Sequence, residues 1–501
     1  MNVFYPFVRP VFPSDSRRRA YRFAEETARL RRSRPPIALV LSGATFLFGT
    51  NAIDGARVFT LLAKAPIQRV LLNSPNFVEV ADLPNSALFA QTDAPEWNAF
   101  LERRDGWLAA DGIYSVELAR DAAVKLDADS PVSQNFSAAT PRKTLFLFSD
   151  TFGGTTKNDG RDFDKVEMSN HSFAVLTGTA PNPNAAVFFW RRSTENGEFA
   201  PTKQDGEFGE TAPIRENNKD GEENPAKPER LAPRNPLGVN RWLQDGVVWR
   251  GRVWTSALLV GAGWKPERVD AVSIGIDSTG SPDFNDVRID ETAPLSFRTE
   301  TAQVVFGAAI ADDADDGFLY VFGYLDRFDA GSRKDLVVAR APRERFGDFS
   351  SWRYFDGRDW SPNVADAARP EAGLVERISP EFSVSKIPTG ANAGRYLLVY
   401  TPGAVGNEIA FRVGDAPWGP FGAETVFYRS TVPAEFERGV DCYNAKAHPA
   451  FGDDEKILVS YNVNRLGTLP RRPAEYRPRF VWLRYSTVDA ATARQNAAES
   501  R

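Results

Sequence analysis

The chain of 501 residues has one cysteine, Cys442, and two histidines, His171 and His448. A lone thiol excludes an intramolecular disulfide framework. With no basic residue placed to activate it, Cys442 is expected to be inert. Two histidines are too few for a multi-histidine zinc or iron centre. No apolar run is long enough to span a bilayer as a helix. An excess of positive charge is also missing: the formal net charge is −5 and the pI is near 5.5. That excludes the basic footprint by which proteins hold nucleic acid. There is no P-loop, no dinucleotide fingerprint and no serine-hydrolase elbow. The chemistry left is that of carboxylates, and no cofactor or metal is expected.

What is present is a repeated pattern. A short strand, a polar or glycine turn and a strand of alternating aromatic and β-branched residues recur five times, with starts at Asp111, Asp245, Gly307, Glu381 and His448. The first copy runs from Asp111-Gly-Ile-Tyr-Ser to Lys143-Thr-Leu-Phe-Leu-Phe-Ser-Asp150, and the last from His448-Pro-Ala-Phe to Lys456-Ile-Leu-Val-Ser-Tyr. Each is a β-hairpin signature. A hairpin recurring at tens of residues marks a propeller or array. The expected fold is all-β, a five-bladed β-propeller with an N-terminal extension. In such a fold the innermost strands point into one funnel and bring distant residues together. Eleven tryptophans and 36 phenylalanines suit a β-rich core. Blade packing accounts for most of them, although they also offer sugar-stacking surfaces.

The pattern sets the expected boundaries. Residues 1–56 hold a basic segment and the apolar run 37–49, which resembles a signal-peptide core and predicts a secreted or periplasmic protein. Its alternative is a buried strand or helix packed on the propeller. Residues 57–96 read as a linker or cap, 97–486 as the propeller and 487–501 as a flexible tail. Residues 121–141 are an extended loop inside the first hairpin. Residues 195–236 are a polar insertion too poor in apolar residues to fold alone.

The candidate catalytic residues are Asp111, Asp150, Asp245 and Glu381. Glycoside hydrolysis needs two carboxylates, one protonated and one ionised at the same pH. Asp150 ends an apolar strand and is followed by Thr151-Phe-Gly-Gly, a rim position. Asp111 and Asp245 each precede a glycine. For all three aspartates the plain alternative is a turn residue bonding its own backbone. Glu381, in Ser379-Pro-Glu-Phe-Ser, has no turn role, and a buried salt bridge with an arginine is its alternative. Asn444, Lys446 and His448 share one face of an unbroken strand and are candidates to bind substrate hydroxyls or to hold a carboxylate charged. A hydrogen-bonded interior cluster is the competing reading. His171 is expected to be a surface or core histidine, and the acid run 312–316 a solvated hairpin tip rather than a calcium loop.

Ala110-Asp-Gly-Ile-Tyr-Ser, Leu147-Phe-Ser-Asp-Thr-Phe, Pro380-Glu-Phe-Ser-Val, Tyr443-Asn-Ala-Lys-Ala-His-Pro and Tyr476-Arg-Pro-Arg-Phe occur in this order. Together they resemble a family of bacterial five-bladed β-propellers, formerly a domain of unknown function, that includes endo-D-arabinanases. The resemblance implies a glycoside hydrolase acting on a furanoside-containing, arabinan-like polysaccharide, with Asp111 and Asp150 as the catalytic pair. By looser analogy with other five-bladed glycosidases, Asp111 would be base, Asp245 a tuner and Glu381 the acid. Arg479 of the last motif is a further candidate for substrate binding. The expected partner is a polysaccharide or oligosaccharide, with no nucleic acid and no stable membrane span, and the chain is expected to be a monomer. The alternative function is a non-catalytic carbohydrate-binding or surface-scaffold propeller. A sialidase-like enzyme would instead need an arginine triad, for which Arg412, Arg477 and Arg479 are the candidates.

Overall fold

The computed structural model describes residues 91–119, 141–190 and 241–484, with short breaks at 262–264, 313–314, 329–330, 332, 391, 431–439 and 466–468, and the backbone of five short strands elsewhere. The loop 121–141 and the insertion 195–236 lie almost wholly outside the described residues. The chain divides into two compact units, 1–73 and 74–501. In the first, Ala38–Leu41 pairs antiparallel with Ala44–Leu47, within the run read as a signal-like core.

The second unit is all-β. Its one α-helix among the described residues is Pro95–Phe100, started by a proline at its first turn. Five sheets of four or more strands follow one another along the chain, antiparallel except where Ala186–Trp190 of the first pairs parallel with Glu229–Leu231. The first contains Tyr114–Ala119, Lys143–Phe148, Ser172–Thr177 and Ala186–Trp190. The second contains Arg241–Trp249, Arg252–Val260, Pro266–Ile276 and Pro282–Asp290. The third is built on Ala302–Ala311, Phe318–Arg327 and Arg333–Pro342, and the fourth on Ser383–Lys386, Tyr396–Tyr400 and Glu408–Gly414. The fifth takes Asp441–His448, Lys456–Asn464 and Arg479–Arg484, and completes itself with Gln91–Asp93. That closing strand comes from the segment expected to be linker. Pairing the start of the unit with its end ties the two together.

The entry strand of each sheet lies against the entry strand of the next, and the fifth returns to the first. This ring arrangement follows from patterning. Strands such as Lys143–Phe148 and Phe318–Arg327 are buried almost throughout, so each sheet needs a neighbour on both faces. Apolar clusters fill the spaces between sheets. Tyr114, Leu145 and Phe173 of the first sheet meet Leu243 and Phe284 of the second, and Leu397 and Phe411 of the fourth meet Val459 and Val481 of the fifth. Between the fifth and first sheets the helix inserts Trp97, whose ring lies 4.4 Å from Phe451, while Phe451 stacks on Phe146 at 5.4 Å. Truncating a buried aromatic of this kind costs about 3–5 kcal/mol.

Candidate active site

The first hairpin sets two carboxylates side by side. Tyr114 pairs with Leu147 at one end of the hairpin and Ala119 with Lys143 at the other. The long 121–141 loop therefore hangs from the far end and leaves the near end undisturbed. There the Asp111 N–H donates to the Asp150 carbonyl at 3.1 Å, and the Ser149 N–H donates to the Asp111 carbonyl at 2.8 Å. Gly112 makes this approach possible. Its φ is +58°, and a Cβ there would lie 2.3 Å from Ser149 Oγ. The glycine after Asp111 thus serves a close approach as well as a turn.

Three other sheets bring partners through irregularities in their entry strands. In Asp441–His448 the register shifts between Tyr443, which pairs with Asn462, and Lys446, which pairs with Ser460; His448 pairs with Leu458. Asn462, Ser460 and Leu458 share a face of their strand, so Tyr443, Lys446 and His448 share one too. Asn444 is an extra residue in this bulge, with φ of +55°. This corrects the expected face of Asn444, Lys446 and His448: the bulge puts Tyr443 where alternation put Asn444. Asp245 sits in a second bulge, between Leu243 and Gly246. In the third sheet the shift falls between Phe306 and Ala309. At Gly307, φ +115°, a Cβ would come within 1.9 Å of Ser256 Oγ. The third copy of the repeat therefore starts with glycine rather than an acid.

Tyr443 donates its hydroxyl to Asp111 Oδ2 at 2.8 Å, and Tyr476 supports the same carboxyl. Lys446, 1% exposed, forms an ion pair with Glu381 Oε2. Its ammonium also lies 4.0 Å from the centre of the Tyr114 ring. Asp245 accepts N–H bonds on both oxygens, from Gly246 at 2.9 Å and from Ile310 of the next sheet at 2.8 Å. Asp150 accepts from the Trp242 indole at 3.1 Å on Oδ1 and is supported by Asn170.

These surroundings separate the acids. Burial, then the negative charge of Asp111, pushes the Asp150 carboxyl up to about 8. Asp111 is pushed up less, to about 6, by burial and Glu381, while Tyr443, Tyr476 and Lys446 oppose the rise. Asp245 is driven up to about 7 by burial, against its two backbone hydrogen bonds. The site therefore contains one carboxyl held protonated near neutral pH beside another that ionises first, the split that acid–base work requires.

Other predicted residues serve the framework. His448 is buried, with Nδ1 against Ser115 Oγ at 2.9 Å and Nε2 against Ser460 Oγ at 2.7 Å. Burial and Lys446 push its imidazole down to about 3. Both nitrogens are engaged, which leaves none for a sugar hydroxyl: its expected substrate-binding role gives way to a link between the first and fifth sheets. Asn444 is buried within its bulge. Arg479 begins the third strand of the fifth sheet, paired with Tyr461, whereas the carboxylates cluster at the entry strands. Arg477 donates to the Leu108 and Arg103 carbonyls. Arg412 donates to Tyr400 Oη and the Gly422 carbonyl. Cys442 is buried, and His171 is a buried histidine whose imidazole is lowered to about 4 by burial and Arg241. Among the described residues no group of three or more His, Cys, Asp or Glu is placed to hold a metal ion, and no helix is long and apolar enough to cross a membrane.

Sequence reasoning missed Tyr114, Tyr443, Tyr476 and Trp242 as site residues. The tyrosines were visible only as members of the motifs, and nothing local marks Trp242 off from ten other tryptophans.

Residues 267–485 match the model of a family described as a domain of unknown function (DUF5005). No curated protein matches the chain by sequence. Among solved structures, a Bacteroides ovatus protein described as a putative hydrolase is similar at a TM-score of 0.52 and 14% identity, over 82% of this chain and 96% of that one. An enzyme from Xanthomonas citri termed GH43_1, solved with xylotriose, aligns at 0.33 and 12%, over 80% and 91% of the two chains. An exo-β-1,3-galactanase from Phanerochaete chrysosporium aligns at 0.32 and 11%, over 79% and 64%. At these identities the first likeness speaks to the fold alone, and the other two fall below the level that supports even that.

Proposed function

We propose that the chain is a glycoside hydrolase on a five-bladed β-propeller, with Asp150 as general acid and Asp111 as base or nucleophile. The observation that carries this reading is the Asp111–Asp150 pair. Backbone hydrogen bonds from Asp111 to Asp150 and from Ser149 to Asp111 hold the segment together, neither carboxylate forms a direct ion pair among the described residues, and their neighbours differ enough to keep one protonated. Five successive sheets with touching entry strands support the blade count.

In this mechanism Asp150 gives its proton to the glycosidic oxygen as the bond to the anomeric carbon breaks. Asp111, oriented by the Tyr443 hydroxyl, stabilises the positive charge that develops on the sugar. It then activates water or bonds the anomeric carbon directly. The Lys446–Glu381 pair favours the acid–base assignment over the one that makes Glu381 the acid. The Glu381 carboxylate is engaged in an ion pair with the Lys446 ammonium, whereas Asp150 accepts from the neutral Trp242 indole. Asp245, bonded on both oxygens, fits the role of tuner between the second and third sheets.

The substrate class follows from charge. Three carboxyls, Asp111, Asp245 and Glu381, share the field of one ammonium, which disfavours uronate, sulfate or phosphate and admits an uncharged sugar. A neutral furanoside polymer of the arabinan type agrees with this balance and with the motif resemblance. The reading extends to an exported, monomeric protein, from the apolar run 37–49 behind its arginines.

The test is product release from a panel of arabinans, arabinogalactan, xylan and agar-type galactans. Cleavage by the wild type that vanishes in Asp150→Asn supports the hydrolase and names its substrate. A folded wild type that binds a polysaccharide and cleaves none moves the assignment to a carbohydrate-binding propeller.

A further inference from the structure

Trp242 is the site residue that neither the repeat nor the motifs point to. It comes from the second sheet, yet its indole N–H reaches Asp150 of the first at 3.1 Å. Its backbone position is well anchored. Trp242 pairs with Leu258, and the preceding Arg241 is bound at 2.8 Å to Asp270 and at 2.8 Å to Glu291, with Asp270 fully buried. The indole packs against the core of the second to fourth sheets. Even so, the residue is only half-buried. A large amphipathic ring seats its single polar atom on a partner, and here that partner is the Asp150 carboxyl of another sheet.

We infer that Trp242 is a positioning residue for Asp150 and the stacking platform for the sugar on the leaving-group side. The inference rests on the hydrolase reading of the site. Indole N–H is a donor only. An Asp150 oxygen that accepts it is a poor place for the acid's own proton, so Oδ1 faces the indole and the proton resides on Oδ2. The glycosidic oxygen must then approach Oδ2, and the sugar attached to it lies over the accessible part of the ring. The groups facing Asp150 are Asp111 and Tyr476, which share its electrostatic field, and Asn170 and Trp242, which hydrogen-bond it. Of these, Trp242 is the one supplied by another sheet with an aromatic surface.

The test separates the hydrogen bond from the stacking. Trp242→Phe keeps an aromatic ring and loses the N–H, whereas Trp242→Ala loses both. Without any substrate, tryptophan emission of the wild type minus that of Trp242→Phe is followed between about pH 6 and pH 10. The expected difference titrates near pH 8 and disappears when both proteins carry Asp150→Asn. A flat difference, or one unchanged by Asp150→Asn, overturns the positioning role. On whichever polysaccharide the wild type cleaves, Trp242→Phe should lower kcat about tenfold with little change in KM and move the alkaline limb upward, because the lost donor favoured the ionised acid. Trp242→Ala should in addition raise KM about tenfold. Wild-type kinetics in both variants, with matched thermal unfolding, overturns the proposal. A wild type that cleaves nothing in the panel overturns the hydrolase reading and the stacking with it, while the emission titration still decides the hydrogen bond.

Discussion

Two pairs of charged side chains lie within the same ring of sheets and are treated oppositely. Lys446 and Glu381 neutralise each other, and Tyr114 covers the ammonium with its ring. Asp111 and Asp150 have no such compensation; hydroxyl, amide and indole donors support them, and each is driven upward by burial. Removing either member of a buried ion pair leaves the other charge uncompensated, so the pair is held together. A buried carboxyl held only by neutral donors can gain or lose its proton within the working pH range. On the proposed reading, proton transfer falls to Asp111 and Asp150, and the Lys446–Glu381 pair supplies part of their electrostatic surroundings.

The largest effect that would break this comparison is on turnover. Asp111→Asn and Asp150→Asn should each lower kcat by about 10²–10⁴ with unfolding midpoints no lower than the wild type's, since general acid–base groups contribute on that scale. Glycosidic product assays and thermal unfolding on the same preparations check this. Equal rates would show that the uncompensated pair does no chemistry.

Stability should show the reverse ranking. Lys446→Met leaves Glu381 buried without its cation and should cost about 3–5 kcal/mol in urea unfolding. Adding Glu381→Met should recover much of that loss, because apolar residues of similar volume replace a buried pair at little net cost. A single variant as stable as the wild type would dissolve the distinction.

The pH profile sharpens the contrast. kcat/KM should rise as Asp111 ionises near 6 and fall as Asp150 ionises near 8, a bell set by the free protein. Alkaline stability follows the same carboxyl. Asp150 binds its proton more tightly folded than unfolded, so its contribution is full below about pH 4 and is lost as pH rises to about 8. Asp150→Asn removes that loss, and above pH 8 it should unfold at a higher temperature than the wild type. The gain is at most about 1.4 kcal/mol for each pH unit crossed. Differential scanning calorimetry at pH 5 and pH 9 reads the sign.

Much of the architecture was legible from strand patterning. Alternating aromatic and β-branched residues between Gly-rich turns can bury both faces only in stacked sheets, and four hairpins stand where the pattern placed them; in the fifth the first strand, Asp441–His448, ends at the residue where the pattern started it. Asp150 was legible for a related reason, as an acid ending an apolar strand, and Glu381 as an acid that no turn calls for. Asn444 and Tyr443 show where reading fails. Alternation assumes an unbroken strand, and a bulge that inserts residues reverses the face of everything before it. An asparagine tolerates the left-handed backbone such a bulge uses, but it marks many loops as well, so the signal is weak. The closing strand Gln91–Asp93 was illegible because three polar residues form a strand only when an existing edge, here Arg479–Arg484, is available to pair with.

The sequence by itself determined which residue types could act, since with two histidines and one cysteine only carboxylates remain in number, and it determined the periodicity that makes each segment a strand. Tertiary structure decided which acids differ from one another. Asp111, Asp150, Asp245 and Glu381 are chemically alike in the chain. They diverge because Lys446, Tyr443, Trp242 and the Ile310 N–H arrive from different sheets. A side chain's proton affinity is set by its neighbours within a few ångströms and by its access to water, and neither exists until the ring of sheets is assembled.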